Sequence, residues 1–261
     1  MARILTDVRR EDSAVPRTLS GMTEPGTRRS GSVSFVRRNG RISSAQERAW
    51  SELAPTYVVE VPRDVAQTSV HPDARLIPSE EYGRTAPLVV EIGTGQGHAI
   101  MHAAEAHPEI DLLGVEVYRG GIARTMLEAE KAGLTNLRLI EANAPEVLAT
   151  LLPEGSADEV RIFFPDPWHK KRHHKRRMIS PGFGRLAGRA LRDGGLLRLA
   201  TDWEDYALQM REVLDDEPEF ARAFEGDWAD RFTGRPMTAF ERKGIDKGRE
   251  IRDLTYRRVE R

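Results

Sequence analysis

The sequence contains no cysteine. This absence excludes disulfides, thiolate metal sites and cysteine nucleophiles, and it fits a reducing compartment, so we expect a cytoplasmic protein. There is also no HExxH motif, and His173 and His174 are adjacent, so they cannot share a helix face as metal ligands. We therefore expect no metal.

Long apolar runs are missing as well. No uncharged apolar segment approaches the ~18 residues of a membrane span, and residues 1–7 lack the apolar core of a secretion signal. We expect neither a membrane segment nor secretion. With 261 residues, 39% of them hydrophobic, the chain can bury one substantial core, so we expect one main domain with appendages.

Acidic residues are absent from one stretch of an otherwise balanced chain. The formal net charge is only -1, yet residues 167–192 contain nine Lys or Arg and no Asp or Glu. Such a charge run is often a solvated face without a partner. Here it directly follows a Pro-Asp-Pro-Trp sequence at 165–168, which favours a phosphate-bearing partner.

Asp166 stands at the start of this basic stretch. Residues 160–164 predict a buried strand, and the prolines on both sides of Asp166 fix its backbone and forbid a helix. The carboxylate is therefore expected at the carboxyl end of a strand, the edge where open α/β sheets bind ligands.

A glycine-rich turn lies further upstream. A strand at 88–92 precedes Gly93, Gly95 and Gly97, and a helix is predicted at 98–107. The glycines allow positive φ and a close approach of the backbone to a ligand. The next strand, 112–116, ends in Glu116, about 20 residues past the turn, where related folds bind a ribose.

The spacing at this turn discriminates between two cofactors. A dinucleotide fingerprint requires Gly or Ala at position 98, where this chain has histidine. S-adenosylmethionine, which has no pyrophosphate, fits better than a dinucleotide. Asn143 ends a third strand, 137–142, and either meets an adenine edge or caps the helix predicted at 144–152.

The remaining pattern predicts an α/β fold, with a mostly parallel central sheet, helices on both faces and an antiparallel closing strand at 254–258. A strand at 195–201 ends at Asp202, which is either a helix N-cap or a second active-site carboxylate. Residues 235–244 are predicted to form a loop. Further helices are predicted at 45–53 (with Ser44 as N-cap and Glu47 as capping-box partner), 120–132 and 181–192.

Three regions follow from composition. Residues 1–30 lack apolar periodicity and predict a disordered extension. Residues 31–84 predict an N-terminal arm with a short helix, and 85–261 the main domain. Residues 28–41 contain five arginines and no acid, which favours either a second phosphate-contacting arm or a merely solvated tail.

Five blocks together resemble the bacterial tRNA (guanine-N7)-methyltransferase family, which has a Rossmann-like class I S-adenosylmethionine-dependent fold. They are residues 34–38, 91–97, 165–174, 200–204 and 235–241, and the match spans about 34–258. The resemblance implies methyl transfer from S-adenosyl-L-methionine to N7 of a guanine in tRNA, in the variable loop.

The resemblance also implies roles for individual residues, with Asp166 as the catalytic position. Cofactor contacts are expected from Glu91, Gly93, Gly95, Gly97, Glu116 and Asn143. Substrate contacts are expected from Lys170, Asp202, Thr238, Ala239, Phe240 and Glu241. RNA contacts are expected from Arg172, His173, His174, Lys175, Arg176 and Arg177, with Arg37 and Arg38 of the arm.

Three positions depart from the family pattern. Asn143 replaces a usual Asp, His169 a usual Pro and Ala239 a usual Lys. The alternatives are a methyltransferase for another RNA or base, a dehydrogenase, and a nucleic-acid-binding protein with a vestigial cofactor pocket. A monomer and a homodimer are both compatible with the sequence.

Overall fold

The computed structural model describes residues 42–260. The predicted disordered extension and the basic arm with Arg37 and Arg38 lie outside the described residues. None of the described helices has the length and apolarity needed to cross a bilayer.

Seven strands in the described range form one sheet. They are β1 (Leu88–Ile92), β2 (Asp111–Glu116), β3 (Leu137–Glu141), β4 (Ala157–Phe163), β5 (Leu191–Thr201), β6 (Phe220–Arg222) and β7 (Arg252–Arg258). The order is β3-β2-β1-β4-β5-β7-β6. Strands β1 to β5 pair in parallel, and β7 pairs antiparallel with β5 and β6. The predicted mostly parallel sheet with an antiparallel closing strand is confirmed; β6 lies in a part of the chain with no predicted strand.

The helices of the described range cover both faces of the sheet. They are α1 (Ser44–Glu52), α2 (Ala54–Tyr57), α3 (Pro78–Tyr82), α4 (His98–Ala106), α5 (Arg119–Ala132), α6 (Ala144–Glu146), α7 (Phe183–Ala190), α8 (Glu204–Asp215) and α9 (Ala239–Asp246). A π-helical turn (Val147–Leu151) continues α6, and a 3-10 helix (Lys171–Arg176) precedes α7. Apolar side chains of α4 and α5 pack on one face, and those of α7 and α8 on the other.

One face of the sheet changes character between β1 and β4. On β1, Val89 faces the apolar cluster beneath α4 and α5. The register places Glu159 of β4 beside Val89, and Arg161 beside Glu91. Arg198 of β5 then stands beside Arg161. The same face is therefore apolar on β1–β3 and charged on β4 and β5, and Glu91 lies at the boundary.

The helix predicted at 45–53 begins one residue earlier than expected. Ser43, and not Ser44, is the N-cap of α1, and its capping-box partner is Gln46, not Glu47. Both serines suit a cap, and glutamine fills the box position as well as glutamate does. Helix α1 docks on α5 because Gln46 and Trp50 donate to the carbonyls of Gly120 and Arg119 over 3.0 and 3.2 Å.

Residues 58–76, which we call the strap, run along the outer side of β3. Val59 N donates to Leu139 O over 2.9 Å, and Arg63 Nη1 donates to Glu141 O over 2.7 Å. Further along, Leu76 N donates to Leu151 O over 2.9 Å. The strap therefore pairs backbone groups that the edge strand would otherwise leave exposed.

Candidate active site

A cavity of about 330 Å³ opens at the carboxyl ends of β1, β2 and β4. Its lining includes the glycine turn, Glu91, Glu116 and Asn143 on one side. Asp166 and residues 238–240 line the other side. The structure thus brings together most of the residues predicted for cofactor binding and the predicted catalytic position.

The glycine turn has the conformation that its sequence predicts. Gly93, Gly95 and Gly97 have φ of 75°, 58° and 83°, values that favour glycine. A Cβ on Gly97 would lie 2.3 Å from Thr125 Oγ1, and one on Gly121 would lie 1.9 Å from Gly95 O. The turn can therefore pack against α5 only because these positions have no side chain.

Glu91 is almost fully buried beside the turn, with 3% of its surface exposed. Burial raises the pKa of this carboxyl group to about 7, although the neighbouring Arg161 opposes the shift. Its Oε2 has no hydrogen-bond partner among residues 42–260. A buried acceptor without a partner is costly, so this atom suits a ligand that brings a donor or a positive charge.

Glu116 joins the end of β2 to the glycine turn. Its Oε2 accepts from Gly95 N over 2.7 Å, and its Oε1 accepts from Val117 N and Tyr118 N over 2.7 and 2.9 Å. Burial raises the pKa of Glu116, while these backbone hydrogen bonds oppose the shift. The carboxylate thus braces the turn and still has lone pairs that can accept from a ligand hydroxyl.

Asn143 is 6% exposed and occupies the N-cap position of α6, but its side chain makes no capping bond. Its Nδ2 donates to Glu146 Oε1 over 3.0 Å, and its Oδ1 has no partner within the described part of the chain. Asn143 therefore occupies the cap position, but its side chain lines the cavity and does not cap the helix. The predicted helix 144–152 is only α6 followed by the π-helical turn, whose Leu152 N donates to Val147 O.

Asp166 lies on a strained corner after β4. Phe164 and Trp168 have φ of 53° and 44°, left-handed values that are unusual for aromatic residues. Phe164 N donates to Ala200 O over 2.8 Å, which ties the corner to β5. Asp166 itself is exposed at the cavity, and its carboxylate has no hydrogen bond or ion pair with residues 42–260. It is free to face a substrate.

Arg177 departs from the prediction for the basic run, because it is buried and cannot reach an RNA phosphate in this structure. Its Nε donates to Pro167 O over 2.8 Å, and its two other nitrogens bind Gln209 and Asp205 over 2.8 and 2.6 Å. Only 1% of its surface is exposed. Arg177 anchors the corner to α8, whereas the Lys and Arg residues that precede it in the run are exposed to solvent.

The other residues of the basic run lie on the 3-10 helix. Lys171, Arg172, Lys175 and Arg176 are exposed, as is Lys170 just before them. Partial burial and the surrounding cations lower the pKa of His173, and His174 lies 3.6 Å from Asp205. The surface beside Asp166 is therefore strongly cationic.

The region predicted as a loop at 235–244 contains helix α9, so that prediction is wrong. Thr238 caps the helix by accepting from Glu241 N over 3.1 Å. The Thr-x-x-Glu spacing is a helix-start signal that could have been read from the sequence. The capped helix places Thr238, Ala239 and Phe240 in the cavity wall, and Phe240 is 51% exposed.

Glu241 and Asp202 both form ion pairs with arginines of the protein itself. Glu241 is 1% exposed and accepts from Arg231 and Arg235. Burial would raise its pKa, but these hydrogen bonds outweigh burial and lower the pKa. Asp202 binds Arg249 over 2.7 Å, and Trp203, not Asp202, is the N-cap of α8. Neither carboxylate lines the cavity, so their predicted substrate contacts find no support in this geometry.

Arg235 was not among the predicted site residues. Its fully buried guanidinium binds both oxygens of Asp253 over 2.5 and 2.9 Å and also reaches Glu241. The same group lies 5.1 and 5.5 Å from the rings of Phe163 and Phe164. It therefore connects β7, α9 and the Asp166 corner. Arg235 opens the motif block 235–241, but nothing in the sequence marked it as buried, because its partner Asp253 is 18 residues further along the chain.

The fold has been seen in solved structures. The 16S rRNA (adenine(1408)-N(1))-methyltransferase from Catenulisporales acidiphilia matches with a TM-score of 0.50 and 18% sequence identity. The match covers 72% of this chain and 93% of that chain. At this identity the likeness shows the fold alone, which is the predicted class I methyltransferase fold.

Comparison with sequence relatives identifies the family more specifically than the fold does. Residues 85–254 match the family model described as putative methyltransferase. The tRNA (guanine-N(7)-)-methyltransferase of Paenarthrobacter aurescens (strain TC1) is 43% identical over 295 residues, covering 95% of this chain and 98% of that protein. The corresponding protein of Cutibacterium acnes (strain DSM 16379 / KPA171202) is 50% identical over 234 residues, covering 89% and 85%. The chain therefore belongs to the tRNA (guanine-N(7)-)-methyltransferase family.

Proposed function

We propose that the protein transfers the methyl group of S-adenosylmethionine to N7 of a guanine in the variable loop of tRNA. The observation that carries this proposal is the shared cavity between the glycine turn and Asp166. Family membership supports the same reaction. Because the substrate is a tRNA, we place the protein in the cytoplasm.

The residues of the cavity fit the cofactor. Three buried polar atoms of its lining have no hydrogen-bond partner among residues 42–260: Glu91 Oε2, Thr94 Oγ1 and Asn143 Oδ1. Glu91 would hold the cationic amino group, Glu116 the ribose hydroxyls and Asn143 the adenine edge. Gly93 and Gly95 present bare backbone, with no atom within 4 Å of where a Cβ would stand.

The reaction requires little proton transfer from the protein. The cofactor supplies an electrophilic methyl group on a sulfonium sulfur, and guanine N7 has a free lone pair, so no general base is needed. Alignment and electrostatics must therefore provide the rate. As the methyl group moves, the purine becomes cationic, and a carboxylate at ~4 Å attracts it by ~1 kcal/mol in water and ~4 kcal/mol at intermediate dielectric. We assign that role to Asp166.

The exposed cations of the 3-10 helix would hold the tRNA. The chain directly after the Asp166 corner carries Lys170, Lys171, Arg172, Lys175 and Arg176, all exposed. The guanidinium of Arg176 lies 4.9 Å from the ring of Trp168 in the corner. Phosphate contacts of this kind position a nucleic acid without reading its sequence. Arg177 would contribute by keeping the corner and the helix in place, and Thr238, Ala239 and Phe240 would form the wall that faces the target base.

Nucleoside analysis by mass spectrometry tests this function. Unmodified tRNA is incubated with the protein and S-adenosylmethionine, and 7-methylguanosine is expected, in a nuclease fragment from the variable loop. A different methylated nucleoside would support the rival reading of another target base. No methylated nucleoside, with tRNA still bound, would support a binding protein with a vestigial cofactor pocket.

A further inference from the structure

The side-chain amide of Asn143 can adopt only one orientation. Its Nδ2 lies 3.0 Å from Glu146 Oε1. A carboxylate has no hydrogen to donate, so the amide must turn its nitrogen towards Glu146. The amide oxygen then faces away from Glu146, where it is buried in the cavity wall without a partner in the described chain.

Glu146 is held in place by the strap. Its Oε2 accepts from Val70 N over 2.6 Å. The backbone nitrogen of Asn143 donates to Thr68 O over 2.7 Å. Both members of the pair are therefore bound to the same segment, so neither side chain can turn without losing a hydrogen bond. The orientation of Asn143 is built into the fold and needs no ligand to impose it.

We propose that Glu146 is a positioning residue that makes Asn143 an obligate hydrogen-bond acceptor, so that the cavity selects a ring with an amino group over one with a carbonyl group at the same position. Adenine presents a 6-amino donor, whereas hypoxanthine presents an oxygen that would face Asn143 Oδ1 acceptor to acceptor. This inference rests on the proposed cofactor site and adds the group that gives it adenine specificity.

Asn143 stands where the family resemblance predicts aspartate, and the pair predicts what an aspartate would do in this chain. With Glu146 only 3.0 Å from the amide nitrogen, an aspartate would place two carboxylates in contact, and like charges at this distance disfavour each other. The double change Asn143→Asp/Glu146→Gln would restore one hydrogen bond with donor and acceptor exchanged, and it would keep an acceptor towards the cavity.

Calorimetric titration with S-adenosylhomocysteine and S-inosylhomocysteine tests the proposal without requiring turnover. The unsubstituted protein should prefer the adenosine form about tenfold to a hundredfold. In Glu146→Gln, the glutamine oxygen must still accept from Val70 N, so the glutamine nitrogen faces Asn143. Asn143 then turns its oxygen towards residue 146 and its nitrogen towards the cavity, so the preference for the adenosine form should be lost or reversed. The exposed Glu105→Gln on α4 is the matched control and should keep the full preference.

The double-substitution cycle provides the second readout. Asn143→Asp alone should weaken S-adenosylhomocysteine at least tenfold, and adding Glu146→Gln should recover most of that loss. A merely structural Glu146 would weaken both ligands equally and leave their ratio unchanged, which would overturn the proposal.

The same titrations separate this inference from the proposed function. If the unsubstituted protein binds S-adenosylhomocysteine and methylates tRNA but shows no preference over the inosine form, only the inference is wrong. If it binds neither ligand, the cofactor assignment is wrong and the inference is refuted with it.

Discussion

The two halves of the sheet face that carries Glu91 are held by different forces. On β1–β3, Val89 and Leu112 pack under Ile100 and Met126 in an apolar cluster. On β4, β5 and β7 the same face bears charges, where the ring of Phe232 covers two guanidinium groups at 5.1 and 4.3 Å and Arg235 binds Asp253. The cavity lies where these halves meet.

The stability of the two halves should therefore respond differently to substitution. Apolar packing is non-directional and tolerates changes of shape that preserve volume. A buried ion pair depends on both partners, because removal of one leaves an uncompensated charge. We therefore infer that the stability of the apolar half is robust to substitutions that preserve volume, whereas the stability of the charged half falls when a single buried charge is removed.

The largest effect is expected at Arg235. Arg235→Met would leave Asp253 and Glu241 with fewer compensating charges in the interior, and it should lower the free energy of unfolding by about 3–5 kcal/mol. Arg231→Met is the matched control, since Arg231 also binds Glu241 but is 40% exposed; about 1 kcal/mol or less is expected. Urea denaturation measures both, and equal losses would contradict the contrast.

Substitution of Glu91 is expected to raise the free energy of unfolding, by an amount that depends on pH. Because its folded pKa is raised to about 7 from 4.5, its contribution to stability is fully present below pH ~4.5 and is lost as the pH rises to about 7. Glu91→Gln removes this loss, so the variant should gain roughly 3 kcal/mol relative to wild type between pH 4 and pH 8. Denaturation at both pH values checks this, and a constant difference would mean that Glu91 is not buried as a carboxylic acid.

A smaller effect is expected at Glu116, on the apolar half. Glu116→Ala removes the brace of the glycine turn and the ribose acceptor, so affinity for S-adenosylhomocysteine should fall at least tenfold. Calorimetry measures it, with the exposed Glu105→Ala as control. Unchanged affinity, or binding of NADH by the wild-type protein, would contradict the assignment of this wall to the methyl donor.

The smallest change is expected on the outer surface. Neutral substitution of Arg172, Lys175 and Arg176 should flatten the dependence of log tRNA affinity on log salt by about 2 to 3. Arg75, Arg124 and Lys131 are exposed cations elsewhere, and their neutral triple variant should keep the wild-type slope. An equal slope in both triple variants would mean that the 3-10 helix does not hold phosphates.

The apolar half and its turn could be predicted from sequence because their signals are local. The strand at 88–92 is confirmed to the residue, and Glu116 does end β2. A continuous apolar strand run, a glycine turn and a helix start all lie within about 30 residues of one another.

The charged half could not be predicted in the same way. Arg176 and Arg177 are neighbours in one basic run, yet one is exposed and the other is buried on Asp205 and Gln209. Glu241 belongs to the motif at 235–241, but its buried carboxylate forms an ion pair with Arg235 inside the protein. Which member of a charge run is buried depends on partners that are distant in sequence, and no local period encodes them.

The central claim is that Asp166 acts through its charge on a purine that becomes cationic, while the other wall binds the cofactor. Single-turnover methylation of tRNA by Asp166→Asn, at saturating cofactor and across pH, tests it most directly. We predict a rate about two orders of magnitude below wild type, equivalent to roughly 2.7 kcal/mol, at every pH and with unchanged affinity for S-adenosylhomocysteine. A wild-type rate would contradict the charge role, and a loss that higher pH restores would indicate a general base instead.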